Sequence, residues 1–239
     1  MREHEQVIGV IRAKNQAPIA LDPRRTALIV VDMQRYFTQP GFPFTQVFEK
    51  LSPGSVAGYL QRVRETVIPS IRRLLNCCRT LETSVVFTAV GTDSGDGREL
   101  PQWLRALDDP GLATSGQRIW PPVGSPSWSI DESLEPLAGE IVLNKLSAGT
   151  FATTGLEQRL RHQGVDSVIV TGVSSDVCVA TTAREAADRG FKTVMVSDGC
   201  TTFSEQMHQA SLDTFNVAFG WVRAADEVID LMSRASRAA

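Results

Sequence analysis

Histidine and cysteine are scarce, with three and four residues in a chain of 239. His4 falls in the N-terminal segment, and His162 and His208 fall on predicted helices. All three read as structural or surface positions, which leaves no histidine for a Cys-His mechanism. The four cysteines lack the spacing of a disulfide framework and point to a reduced, cytoplasmic compartment. A basic excess is absent too. Twenty-four Lys and Arg against 27 Asp and Glu give a net charge of −3. That balance has no footprint for nucleic acid or an anionic membrane. No apolar run is long enough to span a bilayer. Met1 to Asn15 is charged and lacks the apolar core of a signal peptide. The Gly91–Gly97 run follows a predicted strand, but it has neither the Lys-Ser/Thr of a P-loop nor G-x-G-x-x-G spacing. Asp93, Asp96 and Glu99 do not follow the EF-hand pattern. No metal site and no cofactor are expected.

What is present is the composition of a soluble globular protein, 42% hydrophobic and 21% charged. Residues 1–23 read as an N-terminal arm whose one apolar run, Val7 to Ile11, either packs on a neighbouring subunit or frays. Residues 24–239 read as a single domain with no repeat or linker. Thr26–Asp32 is a near-continuous apolar run, the signature of a strand buried on both faces. Thr83–Val90, Glu140–Lys145, the apolar run from Val168 to the Gly172 turn, Lys192–Ser197 and Phe219–Val222 read as further strands. Helical periods over Val56–Thr80, Thr154–Gln163, from the Ser174-Ser175-Asp176 cluster through Ala187 to a stop at Gly190, Ser204–Phe215 and Ala225–Ser233 alternate with them. Pro69 kinks or divides the first of these helices. Thr38–Gly58 and Pro101–Glu140 read as loops, and Asp198-Gly199 as a turn. The alternation predicts an α/β fold, a doubly wound parallel sheet with helices on both faces.

Parallel strands share one carboxyl edge, where open α/β sheets place their ligands. Asp32, Lys145 and Cys178 each follow a separate strand, so the fold gathers them on that edge. Each alone has an ordinary reading: a turn-capping acid, a solvated lysine, a small buried helix residue. Together they make a nucleophile, a proton acceptor and a cation. Cys178 falls in the first turn of a helix, where free N–H groups and the helix dipole favour thiolate. Lys145 adds to that effect and holds Asp32 ionised. Asp32 can take the thiol proton and pass it to a leaving amine. Phe37, Trp120, Trp128 and Phe151 are candidates for the substrate pocket; aromatic residues on such loops also pack simply as core.

The segments Ala27-Leu28-Ile29-Val30-Val31-Asp32-Met33-Gln34, Lys145-x-Ser147-x-x-x-Phe151 and Thr171-Gly172-Val173-Ser174-Ser175-Asp176-Val177-Cys178-Val179-x-x-Thr182 resemble the isochorismatase-like cysteine hydrolase superfamily. The likeness runs from about Arg24 to Met232. It implies a six-stranded sheet, an Asp32-Lys145-Cys178 triad and a cis peptide at Val173-Ser174. It also implies an oxyanion hole from the Ser174 and Cys178 N–H groups, and a homodimer or homotetramer. Nicotinamidases of that superfamily carry a histidine metal site near the second strand, and Phe87 to Arg98 here has no histidine. Isochorismate hydrolases typically lack the nucleophilic cysteine. The resemblance is therefore to the N-carbamoyl and ureido branch, which the Phe219-Gly220-Trp221-Val222 segment also matches.

The expectation is a cysteine-dependent amidohydrolase that cleaves the C–N bond of a small N-carbamoyl, ureido or simple amide substrate through a thioester. The alternatives are a vinyl ether hydrolase of the isochorismate type and a non-catalytic binding member of the fold.

Overall fold

The computed structural model describes residues 3–13 and 18–238. Among them, α1 (Glu3–Ala13) precedes the sheet and lies against a late helix, α10 (Glu205–Ala218). The rest of the predicted arm includes positions 1–2 and 14–17, which lie outside the described residues, as do residue 239 and the side chain of His4. The strands are β1 (Thr26–Val31), β2 (Ser84–Val90), β3 (Ile141–Lys145), β4 (Ser167–Val173), β5 (Lys192–Thr201) and β6 (Trp221–Arg223). They form one sheet in the order β3-β2-β1-β4-β5-β6, with every pair parallel. The order reverses direction between β1 and β4, the switch point at which such sheets open a crevice.

The β1 sequence explains its central place. Leu28 and Val30 face one apolar layer, and Ala27, Ile29 and Val31 face the other. A two-residue period with apolar side chains at every position must be covered on both sides. The first layer is capped by α5 (Ile68–Thr80) and α11 (Ala225–Ala238). The second is capped by α8 (Leu156–His162), α9 (Cys178–Asp188) and α10.

Four regions differ from the sequence expectation. The segment Thr38–Gly58 is largely helical: α2 (Arg35–Thr38) leads into α3 (Pro43–Leu51) and α4 (Ser55–Arg62). Pro43 occupies the first turn of α3, where a missing N–H costs nothing. Gly54 supplies the left-handed residue before α4. The helix expected over Val56–Thr80 runs as α4, a π-helical turn at Val63–Val67, and α5, with Pro69 in the first turn of α5. Asp198-Gly199 does not end β5. The strand continues to Thr201, and its register against β4 shifts between the pairs Val170–Met195 and Gly172–Cys200. The irregular stretch between β2 and β3 holds two short helices, α6 (Gln102–Arg105) and α7 (Asp108–Ser115). Among the described residues, no helix is long and apolar enough to cross a membrane.

Candidate active site

Asp32 follows the last residue of β1, with φ 52°. A non-glycine residue in the left-handed region is uncommon, and Asp tolerates it better than most. The conformation turns the chain away from the strand at the carboxyl edge. Register then supplies a partner, because Val31 lies opposite Thr88 on β2. The Thr88 hydroxyl donates to Asp32 Oδ1 at 2.7 Å, and the Asp32 N–H donates to the Thr88 carbonyl at 3.1 Å.

Lys145 closes β3, opposite Val90 on β2. Its long stem reaches across β2 to the acid: Nζ lies 2.9 Å from Asp32 Oδ2, and both side chains are fully buried at 0% exposure. The same ammonium donates to the Ser147 carbonyl at 2.7 Å and to Cys178 Sγ at 3.4 Å. Oδ2 is in ion-pair contact but takes no well-directed hydrogen bond. It keeps a lone pair that no donor among the described residues occupies.

Cys178 is the first residue of α9 and retains 8% exposure. The turn before it is tied down: the Ser175 N–H donates to the Thr201 carbonyl at 2.9 Å, and the Val177 and Val179 N–H groups both donate to the Ser174 carbonyl at 3.1 Å. The Ser174 and Cys178 N–H groups are left without acceptors among the described residues. The peptide Val173-Ser174 is cis. Gly172 has φ +113°, and a Cβ there would overlap the Val31 carbonyl, so only glycine lets β4 approach β1 beside Asp32.

Electrostatics correct one expectation. The helix start and Lys145 do not make a resting thiolate. Burial raises the Cys178 thiol most strongly, Lys145 opposes it, Asp32 adds to it, and the pKa is pushed up to about 12. Desolvation of the sulfur therefore outweighs the dipole and the ammonium. For Lys145, burial favours the neutral amine, but the Asp32 charge prevails and its pKa is raised above the usual range. The resting site is a thiol beside an Asp–Lys ion pair.

Two bracing residues escaped the sequence reading. Thr88 fixes one carboxylate oxygen, and only the β1–β2 register could have revealed it. Gln34 is fully buried, accepts the Val90 N–H at 2.7 Å, and donates to the carbonyls of Val90 at 3.1 Å and Trp128 at 2.8 Å. It clamps the turn after Asp32 to β2 and to the Trp128 segment.

The four aromatic candidates divide. Phe37 packs 4.0 Å from Tyr36 and 4.7 Å from Phe44, ring to ring, inside the first apolar layer. Trp120 is buried beside Tyr36, with its Nε1–H donating to the Leu104 carbonyl at 2.7 Å. Phe151 is held between Phe191 at 5.8 Å and the Arg189 guanidinium at 5.2 Å. Phe37 and Phe151 are covered by other side chains, whereas Trp120, also buried, borders a cavity lined in addition by Tyr36, Phe42 and Pro122. Trp128 is half-buried, and its Nε1–H donates at 2.9 Å to Asn144 Oδ1, on the residue before Lys145. His162 is exposed on α8, and His208 Nδ1 lies 3.0 Å from Ser175 Oγ. No group of three or more His, Cys, Asp and Glu side chains that could hold a metal occurs among the described residues.

The isochorismatase domain matches residues 26–227, most of the chain and all six strands. The chain belongs to the isochorismatase family. It is 28% identical over 243 residues to the ureidoacrylate amidohydrolase RutB of Methylobacterium radiotolerans, across 95% of this chain and 88% of that protein. It is 28% identical over 197 residues to a maleamate amidohydrolase of Pseudomonas putida, across 82% of each. Among solved structures, a cysteine hydrolase from Pseudomonas syringae pv. phaseolicola superposes with a TM-score of 0.74 at 25% identity, covering 91% of this chain and 97% of that one.

Proposed function

We propose that the chain hydrolyses the C–N bond of a small amide or ureido substrate, with Cys178 as nucleophile. It is an amidohydrolase of the isochorismatase family, in keeping with its ureidoacrylate and maleamate relatives. The observation that carries the mechanism is the Lys145 ammonium, 2.9 Å from Asp32 and 3.4 Å from Cys178 inside a buried site. A base and a nucleophile held by one cation are arranged for proton transfer.

The thiol, with its pKa near 12, is a poor nucleophile until it loses its proton. Attack and deprotonation therefore go together. As the sulfur forms its bond to the carbonyl carbon, the S–H proton passes to Asp32 Oδ2. The carbonyl oxygen becomes an oxyanion, which the Ser174 and Cys178 N–H groups receive. Asp32 returns the proton to the leaving nitrogen, the C–N bond breaks, and a thioester remains. Water then gives a proton to Asp32 and its oxygen to the acyl carbon. The C–S bond breaks, and the sulfur recovers its proton from Asp32. Lys145 stays charged throughout and offsets the negative charge that moves between sulfur and carboxylate. Trp128, half-buried near the Lys145 end, is the most exposed of the four aromatics.

Product analysis tests the reading. Small amides and ureides should release ammonia or an amine. Pyruvate from isochorismate, with no ammonia from any amide, would mean ether hydrolysis instead.

A further inference from the structure

Three motif residues, Ser147, Phe151 and Thr182, take no part in the proton transfers. Ser147 nevertheless touches the machinery. Its carbonyl accepts from the Lys145 ammonium at 2.7 Å, beside the ammonium's contacts with Asp32 Oδ2 at 2.9 Å and Cys178 Sγ at 3.4 Å. An ammonium has three donors at fixed angles. With one spent on a neutral carbonyl, the other two are aimed at the acid and the sulfur. The place of the Ser147 carbonyl therefore decides the place of the cation.

That carbonyl lies on a loop with little framework of its own. Residues 146–154 make no backbone-to-backbone hydrogen bond among the described residues. Side chains shape the loop instead. The Ser147 hydroxyl donates to the Gly149 carbonyl at 2.9 Å, the Thr154 hydroxyl donates to the Thr150 carbonyl at 2.7 Å, and Thr153 Oγ1 accepts the Leu146 N–H at 3.1 Å. The hydrogen bonds that tie Thr150 and Phe151 to the rest of the fold both go to α9. The hydroxyls of Thr150 and Thr182, both fully buried, lie 3.0 Å apart. Glu185 Oε2 accepts the Phe151 N–H at 2.8 Å. The Glu185 carboxylate also lies flat against Gly149, where a Cβ would overlap both of its oxygens. Glycine is what lets the acid come so close.

The spacing i, i+4, i+7 puts Cys178, Thr182 and Glu185 on one stripe of α9. One helix thus carries the nucleophile at its first residue and, along the same stripe, two side chains that hold the loop of the cation. Arg189, just past the helix, covers the Phe151 ring at 5.2 Å and completes the anchor.

We propose that Thr182 and Glu185 are positioning residues for Lys145: they hold the 147–151 loop so that the Ser147 carbonyl keeps the ammonium between the Asp32 carboxylate and the Cys178 sulfur. The inference deepens the amidohydrolase reading and rests on it for its kinetic consequence. Without the anchor the loop relaxes, and its carbonyl moves off. The ammonium then settles on Asp32, its partner by charge, and the sulfur loses the cation that opposes its desolvation.

Alkylation of Cys178 by iodoacetamide, followed at that residue by peptide mass spectrometry, reports the thiolate without any substrate. At about pH 9, Glu185→Ala should react about 5–10-fold more slowly than wild type. On an amide that wild type turns over, it should lower kcat about 10–100-fold and leave KM within about threefold. Glu185→Gln keeps an oxygen for the Phe151 N–H and should stay within about threefold of wild type in both rates. Thr182→Val should lower both about 3–10-fold. Val228→Ala opens a cavity under α11, on the opposite face of the sheet. It should lower stability and leave both rates within about twofold. In Lys145→Met, adding Glu185→Ala should slow alkylation no further. Alkylation or kcat unchanged in Glu185→Ala, a loss in Glu185→Gln as large as in Glu185→Ala, equal losses in Val228→Ala, or further slowing in Lys145→Met would each overturn the positioning role and leave the amidohydrolase standing. If Lys145→Met does not fold, the split between Ala and Gln at position 185 and the Val228→Ala control decide. The expected alkylation pattern, with no amide hydrolysed by wild type, would keep the positioning role and overturn the amidohydrolase reading. Neither the pattern nor turnover overturns both.

Discussion

Cys178 and Cys200 stand at the carboxyl edge of neighbouring strands, β4 and β5, and both are buried. Burial raises the pKa of each thiol. Their surroundings then diverge. Cys200 Sγ donates to the Val196 carbonyl at 3.1 Å, and the nearby Asp198 charge raises its pKa further. Asp198 is itself committed, accepting from Ser70 at 2.9 Å and from the Ala225 N–H at 2.8 Å. Cys178 faces an ammonium 3.4 Å away and a carboxylate with a free lone pair. A thiol at a strand end in this fold is therefore inert by default. Chemistry comes from what β1 and β3 bring to it.

The sharpest way to break this contrast is to remove the proton acceptor. Asp32→Asn should lower kcat for ammonia release about a thousandfold, whereas Cys200→Ala should stay within about twofold. Equal losses would erase the distinction between the two thiols. Next in size is the ion pair that only Cys178 possesses. Lys145→Met strands the Asp32 carboxylate in the interior and should cost about 3–5 kcal/mol, on the order of 10 °C in thermal unfolding. Adding Asp32→Asn to that variant should restore part of the loss, because the remaining buried charge is gone. A double variant less stable than Lys145→Met would contradict the account.

The pH dependence is smaller. An unfolded thiol gives up its proton near pH ~8.5, whereas folded Cys178 holds it to about 12. The unfolded chain binds fewer protons across that window, so stability is full below pH ~8.5 and falls as pH rises toward 12. Cys178→Ala should flatten the fall measured by urea unfolding between about pH 8 and 10, by at most about 1.4 kcal/mol per pH unit. An unchanged slope would place the folded pKa near that of a free thiol. Smallest is Thr88→Val, which removes the 2.7 Å hydrogen bond to Asp32 Oδ1. It should cost about 1–3 kcal/mol in unfolding and leave measurable ammonia release.

The chain's own letters carried the sheet and the triad because both depend on strong local signals. β1 has to be buried on both faces, and Asp32, Lys145 and Cys178 each sit at the end of an apolar run. The helix α3 was hidden for the opposite reason. Pro43, which reads as loop punctuation, is the residue that starts it, and Gly54 likewise precedes α4. In α1 the apolar residues Val7 and Val10 are exposed, so their spacing does not trace a buried face. Phe37 and Phe151 could not be sorted from Trp120 and Trp128, since pocket walls and core interiors favour the same side chains. Desolvation of Cys178 depends on atoms from distant elements, and no stretch of sequence announces it.

The most direct measurement of the central claim is ammonia release by folded Cys178→Ala beside wild type, on an amide that wild type turns over. The account predicts a loss of at least about a thousandfold, because no thioester can form. Turnover within about tenfold of wild type would show that the sulfur does not attack the substrate.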